Sequence, residues 1–167
     1  MDLKPALQQL QKSQEFRNWH GKNKNTYFSY AFKIPEEMGL NEWQFGYYDK
    51  KKDKITTFVV AGDNITIRNE EEVFKKEETK VKEVGLNKVK LEFDSIIAKA
   101  NEFQNKNFPK DKGVKTIVIL QNTHDYGNVW NITYVTEAFN TLNMKIDASS
   151  GRVLEHNLSS IFSFRKK

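Results

Sequence analysis

One arrangement of acidic, amide and aromatic residues occurs twice in this chain, without a gap and 87 residues apart (102 − 15 and 130 − 43). Glu15-Phe16-x-Asn18, followed by Asn41-x-Trp43-x-x-x-Tyr47, returns as Glu102-Phe103-x-Asn105, followed by Asn128-x-Trp130-x-x-x-Tyr134. Ala61 and Ala148 keep the offset, as do Leu10/Ile97, Phe32/Ile119, Phe45/Ile132, Ile55/Leu142 and Ile67/Leu154. Self-similarity of this kind points to two copies of one supersecondary plan. With 167 residues in all, each copy has roughly 80, near the lower size at which a core holds alone. Two copies packed together would share a core and ease that limit.

The periodicity within each copy predicts α+β modules. Residues Asp2 to about Trp19 read as a helix capped by Asp2, with Pro5 in its first turn and Leu3, Leu7, Leu10 and Gln14 on one face. Gly21 and the polar residues after it stop the helix. Phe28, Tyr30, Phe32 and Ile34 then alternate with smaller or polar residues, and Pro35 ends that strand. Trp43, Phe45 and Tyr47 alternate again. Ile55 to Val60 follows a charged turn, and Ala61-Gly62-Asp63-Asn64 signals a hairpin into Ile65 and Ile67.

The second copy repeats the plan. Asp94 is placed to cap a helix, with Phe93 stapling onto Ala98 and with Phe93, Ile96, Ile97, Ala100 and Phe103 as its stripe. Val114 to Leu120 is a nearly continuous apolar run and reads as a central strand. Val129 to Val135 and Phe139 to Ile146 follow as strands. Asp147 to Gly151 is a turn needing positive φ at its glycine, Arg152 to Leu154 opens the closing strand, and Leu158 to Phe164 is an apolar tail. The expected organisation is a first helix-plus-sheet module over 1–68, a charged connector over 69–90, and a second module over 91–167. Within the connector, Glu71/Lys75 and Glu72/Lys76 are spaced for a helical stretch at 70–78.

Composition narrows the functions. The chain has 27 basic and 22 acidic residues, a net charge of +5. That is a thin excess for a nucleic-acid binder, which concentrates its basic residues in a patch or stripe. The absence of cysteine removes disulfides, thiolate zinc sites and thiol catalysis. No run of 18 apolar residues occurs, so no membrane span is expected. The first residues lack the apolar segment of a signal peptide, which leaves the compartment open: cytoplasmic as read, extracytoplasmic if a signal was trimmed.

In the second copy, Trp130-Asn-Ile-Thr-Tyr134, then Leu142 to Asp147-Ala148-Ser-Ser-Gly151-Arg-Val-Leu154, preceded by a helix with Ala98 and Ala100, resembles the PepSY domain. The likeness covers residues 93 to 162, and the Asp-Ala-x-x-Gly turn is its most specific part. The first copy has Val60-Ala61-Gly62-Asp63-Asn64 in place of that turn and is PepSY-like only through the repeat. The resemblance implies a tandem of cystatin-like modules, each a helix on a sheet of three or four antiparallel strands. It also implies a non-catalytic role outside the cytoplasm, as an inhibitory or chaperoning segment of a peptidase or a binding module at the cell surface.

The residues themselves hold no catalytic set. His20, His124 and His156 lack ligand spacing, Ser149-Ser150-Gly151 lacks a nucleophile elbow, and no glycine-rich phosphate loop is present. No cofactor, metal site or enzymatic activity is expected. The aromatics leave two alternatives open. Trp43, Phe45 and Tyr47, with Trp130, Ile132 and Tyr134, share a sheet face that is either core beneath the helix or an exposed platform for a partner. Tyr27, Tyr48 and Tyr126 fall out of phase or in loops and are the better candidates for exposed contacts. Asp147, Ala148 and Gly151 are assigned to the turn. The reading is a module that engages a protein or peptide partner. A weak nucleic-acid binder and a small-molecule or lipid carrier, with its pocket between helix and sheet, are the alternatives.

Overall fold

The computed structural model describes residues 1–35, 41–73 and 79–166, the last three as backbone alone. Among these residues, three α-helices and one sheet of nine antiparallel strands make an α+β fold. The helices are α1 (Leu3–Lys12), α2 (Gln14–Lys22) and α3 (Phe93–Asn107). The strands are β1 (Thr26–Lys33), β2 (Glu42–Asp49), β3 (Lys54–Ala61), β4 (Asn64–Ile67), β5 (Glu71–Glu72), β6 (Gly113–Thr123), β7 (Gly127–Thr136), β8 (Asn140–Asp147) and β9 (Val153–Ser160). They run in the order β4-β3-β2-β1-β6-β7-β8-β9, with β5 paired to β3. Two four-stranded meanders thus join edge to edge through β1 and β6, and residues from both form one hydrophobic cluster.

The first helix is interrupted. Ser13 has extended backbone, and its hydroxyl accepts from the Phe16 amide at 3.1 Å, so it ends α1 and caps α2. Asp2 stands at the N-cap of α1 without a side-chain bond. The buried face of α1 is Leu3, Ala6, Leu7 and Leu10, while Gln14 lies beyond the break and is exposed. Gly21 does not stop α2, which runs on to Lys22. Glu92, not Asp94, is the N-cap of α3. Phe93 therefore lies inside the helix and packs its ring on Trp43 and Trp130, at centroid distances of 5.5 and 6.4 Å, instead of stapling onto exposed Ala98.

A bulge in β1 changes which residues face the core. The register with β2 shifts between Phe28 and Tyr30. An extra residue in a strand reverses the alternation after it, because side chains change faces with a period of two. Phe28 therefore faces the helices, whereas Ala31 and Lys33 face them after the bulge, and Tyr30 and Phe32 turn to the opposite face. The simple alternation of Phe28, Tyr30 and Phe32 expected from sequence fails at this point.

The helical reading of residues 70–78 is corrected where they are described: Glu71 and Glu72 pair with Ile55 and Lys54 of β3. Lys75 and Lys76 lie outside the described residues. The rest of the connector is more than a solvated linker, since Val84 and Val89 enter the core. Residues 158–160 of the expected apolar tail belong to β9, and Ile161–Lys166 form a 3-10 turn.

Candidate functional site

The helices occupy only one face of the sheet. On that inner face Phe16 and Trp19 of α2 pack against Tyr47 and Phe58, and the Tyr134 hydroxyl donates to Asn101 of α3 at 2.6 Å. Trp43 and Trp130 are 1% and 0% exposed, with ring centroids 6.4 Å apart. Burial of this order makes such side chains worth about 3–5 kcal/mol each on truncation to alanine. Both tryptophans are core, so of the two alternatives the exposed platform, with Trp43 and Trp130 as partner contacts, is corrected to the buried one. Between helices and sheet, where the carrier alternative places its pocket, the centre is filled by residues such as Phe45, Phe58, Ile132 and Met144, each 0% exposed, and a cleft of about 360 Å³ lies at the margin between α3 and Gly113, Thr116 and Tyr134.

The opposite, outer face carries a groove of about 1150 Å³. Its floor comes from Phe32 of β1, Ile119 of β6 and Ile55 of β3. Phe32 and Ile119 are direct cross-strand partners. Gln44 and Gln121 add amides, and Asn122 to Asp125, at the β6–β7 hairpin, form one lip. Residues 79–82 of the connector form part of another. The lining is thus an apolar strip with polar margins, the pattern expected of a surface that holds a ligand by shape and orients it by a few hydrogen bonds.

The described residues at the two ends of the connector are tied to the sheet. At one end Glu71 and Glu72 pair with β3, and Lys52 binds Glu70 at 2.7 Å. At the other, the Tyr27 hydroxyl donates to the Val81 carbonyl at 2.7 Å, and the Asn122 amide donates to the Glu83 carbonyl at 2.7 Å. The Val84 amide donates to the Phe28 carbonyl at 2.9 Å, and the Gly85 amide to the Asn128 side chain at 3.0 Å. Directed bonds to two strands and a hairpin fix the positions of residues 70–72 and 81–85, which burial alone would leave adjustable.

Tyr30 shapes the groove wall. Its ring lies over Gly46 of β2, which has no Cβ to obstruct it, and its hydroxyl shares a 2.8 Å hydrogen bond with Thr57. Burial raises the Tyr30 phenol above its ordinary pKa, opposed by the bond to Thr57. The group therefore stays neutral and able to donate at neutral pH.

The tyrosines predicted from sequence fall in three settings. Tyr48 lies on the outer face but is 5% exposed, with its hydroxyl donating to Asp53 and its ring edge-on to Tyr27 at 5.5 Å. Tyr27 is half-buried and holds the connector. Tyr126 is 37% exposed at the β6–β7 hairpin, with the Lys145 amine 5.8 Å from its ring centre. Tyr48 is thus corrected from an exposed contact to a packed one: it pairs directly with Tyr27 across the strands and is buried. The structure does not bring Tyr126 together with the other two.

The Asp147–Gly151 turn has the predicted form. The Asp147 carboxylate accepts from the amides of Ser149 and Ser150, at 3.0 and 2.6 Å, and the Ser150 bond leads in holding its pKa below the usual carboxylate value. Gly151 has φ of 75°. Ala148 is fully buried. Its amide donates to the Asn128 carbonyl and its carbonyl accepts from Lys90 and Leu91, so the turn docks the connector onto β7.

Phe32 and Ile119, which form the groove floor, were not singled out as site residues from sequence. The bulge hides Phe32 behind an apparent core alternation. Their pairing in the 87-residue offset was the available signal. Among the described residues, no group of three or more His, Cys, Asp or Glu side chains converges on a common point, and no helix is long and apolar enough to cross a membrane.

No protein-family model matches the chain, and no curated protein matches its sequence. Among solved structures, the fold is similar to that of a candidate lipoprotein from Clostridium difficile 630. The TM-score is 0.60 and the identity 13%, over 87% of this chain and 90% of that one. At such identity the likeness is one of fold.

Proposed function

We propose that the chain is a non-catalytic binding protein built from two PepSY-like, cystatin-like modules, and that it engages a protein partner through an extended peptide segment laid in the outer groove. The observation that carries this reading is the partly exposed apolar strip of Phe32, Ile119 and Ile55, on the face that the helices leave bare and bordered by connector residues 79–82. The groove crosses from β3 through β2 and β1 to β6, three strand spacings or roughly 14 Å, which an extended segment of four or five residues spans. The glutamines at 44 and 121 supply the donors and acceptors that a peptide backbone requires.

The β1–β6 register supports the duplication. Phe32 pairs with Ile119, its own counterpart at the 87-residue offset. Ala31 pairs with Leu120 and Lys33 with Val118, and each pair becomes the other on exchange of the halves (31 + 87 = 118; 33 + 87 = 120). Two copies of one meander joined about a two-fold axis through the Phe32–Ile119 pair would have this register. The meeting of Trp43 with its counterpart Trp130 fits the same axis. The similarity to a candidate lipoprotein favours a location outside the cytoplasm.

A photo-crosslinking residue at Gln44, in the groove, compared with one at Gln8, on the exposed side of α1, tests the reading in extracts of the native organism. Selective capture of one protein from Gln44, abolished by Ile119→Asp, supports it. Equal capture at both positions refutes it. Capture of nucleic acid, lost as salt rises, would favour a nucleic-acid binder, and a bound small molecule that leaves with Ile119→Asp would favour a carrier.

A further inference from the structure

The two ends of the sheet differ. At one end β4 is only four residues long. At the other, β9 has eight, and among the described residues no strand pairs with its outer edge. Such an edge displays unpaired amides and carbonyls, and proteins that keep an edge free commonly blunt it with proline, lysine or a bulge in mid-strand. β9 has neither proline nor lysine. Its one register shift lies near its start, opposite Lys145 and Ile146, and Glu155 to Ser160 is regular.

Apolar side chains gather beside this edge. Leu158 of β9 is 37% exposed, Phe162 55% and Phe139 63%. Phe139 and Phe162 rest ring to ring at 6.1 Å, and the Ile161 amide donates to the Phe139 carbonyl at 2.9 Å. Phe139 has φ of 58°, a left-handed conformation that glycine or asparagine adopts readily and an aromatic residue rarely does. A large ring held on strained backbone and open to water is an outlier of the kind that marks a contact surface.

We infer that β9 pairs with β9 of a second copy of this chain, antiparallel about a two-fold axis, to form one continuous sheet across a homodimer. A second copy is favoured because the two edges are unequal. Joining β9 to a neighbour's β4 would run head to tail into an open filament on a four-residue strand, whereas β9 against β9 uses the long edge of both copies and closes. The symmetry also selects the register. A two-fold axis normal to the sheet keeps side chains on their own face, so facing residues must have numbers of the same parity. Asn157 and Leu158 as centres overlap the regular stretch equally, and Asn157 is selected because its facing residues, 154 to 160, all lie within β9. Asn157 meets Asn157 of the second copy, His156 meets Leu158, and Glu155 meets Ser159, so no like charges stand directly opposite.

The chain contains no cysteine, so single introduced cysteines report this geometry in the full-length protein. Facing residues of an antiparallel pair have Cα atoms about 4.5–5.5 Å apart, within disulfide reach. Under mild oxidation, Asn157→Cys should crosslink into dimers. Glu155→Cys and Ser159→Cys should crosslink poorly alone and efficiently when mixed. Sedimentation equilibrium should show a monomer–dimer equilibrium that Leu158→Lys and, separately, Phe162→Lys each weaken by about tenfold or more. Two variants guard against a folding defect in one, and circular dichroism checks each. A monomer at all concentrations up to the millimolar range overturns the proposal, as do indefinite association or equal crosslinking at all three positions.

Discussion

Replacing Gly46 with alanine tests the packing of the groove wall. A Cβ built on Gly46 falls 2.0 Å from Tyr30 Cε1 and 2.3 Å from Cδ1, where ordinary contact begins at 3.4 Å. The ring must therefore withdraw by more than an ångström. Withdrawal strains the 2.8 Å bond between Tyr30 and Thr57, worth about 0.5–1.5 kcal/mol. Forcing a methyl into packed space costs about 1–3 kcal/mol more. Against this, alanine restricts the unfolded chain and recovers about 0.4–1 kcal/mol. The net expectation is a loss of about 1–3 kcal/mol for Gly46→Ala. In a Tyr30→Ala background only the last contribution survives, so the same substitution should stabilise by roughly 0.5 kcal/mol. Urea unfolding of the four proteins, with comparable m-values, gives the cycle. A similar cost of Gly46→Ala in both backgrounds would refute the assignment of Tyr30 as the ring over Gly46.

Four further predictions concern the core and the turn. Among the described residues the buried Tyr47 hydroxyl has no hydrogen-bond partner of ordinary geometry, and burial pushes its pKa up to about 12, opposed by the Gln11 side chain. Its folded pKa lies above the unfolded value, so its contribution is intact below about pH 10 and is lost as pH climbs through about 12, up to about 2.7 kcal/mol. Stability of Tyr47→Phe, followed by urea unfolding between pH 9 and 12, should therefore fall less than wild type. Lys33 is 7% exposed, its amine donates to Asn41 at 2.8 Å and lies 4.9 Å from the Trp43 ring, and burial lowers its pKa. Because the folded state disfavours its charge, Lys33→Leu should raise stability at pH 7 by about 1 kcal/mol, and thermal melts should show the gain shrinking as pH rises and wild-type Lys33 becomes neutral. In the turn, Gly151→Ala meets both positive φ and Leu91 Cδ1 at 2.7 Å and should cost about 1–3 kcal/mol. The depressed Asp147 pKa gives stability that is present above pH ~4 and lost as pH falls through the folded value, so the difference between Asp147→Asn and wild type should narrow in acid melts.

Much of the fold was legible in the chain. Alternation located the strands from Trp43 onward, and the glycines at 62 and 151 marked turns that their positive φ requires. The nearly continuous apolar run from Val114 to Leu120 announced a central strand, and β6 lies in the middle of the sheet. Helix ends were less legible. Ser13 could be seen as a helix-capping residue type, but nothing local says that the chain must break there. The break lets α1 set Leu3, Ala6, Leu7 and Leu10 on the sheet while α2 turns Phe16 toward Tyr47 and Phe58.

The candidate site depended on longer-range information. By themselves, the residues determined an α+β chain with a repeated order of elements, no thiol chemistry and a turn at Asp147 to Gly151, because local propensity, backbone φ and hydrophobic period act within a few residues. Tertiary structure decided that β1 and β6 join into one sheet, that Trp43 and Trp130 meet in its core, and that Phe32 and Ile119 lie on the face the helices leave open. One bulged residue near Ser29 reverses every side chain after it in β1. Whether a strand tolerates that extra residue is set by the partner on its other side, a contact made across 87 residues of chain (119 − 32).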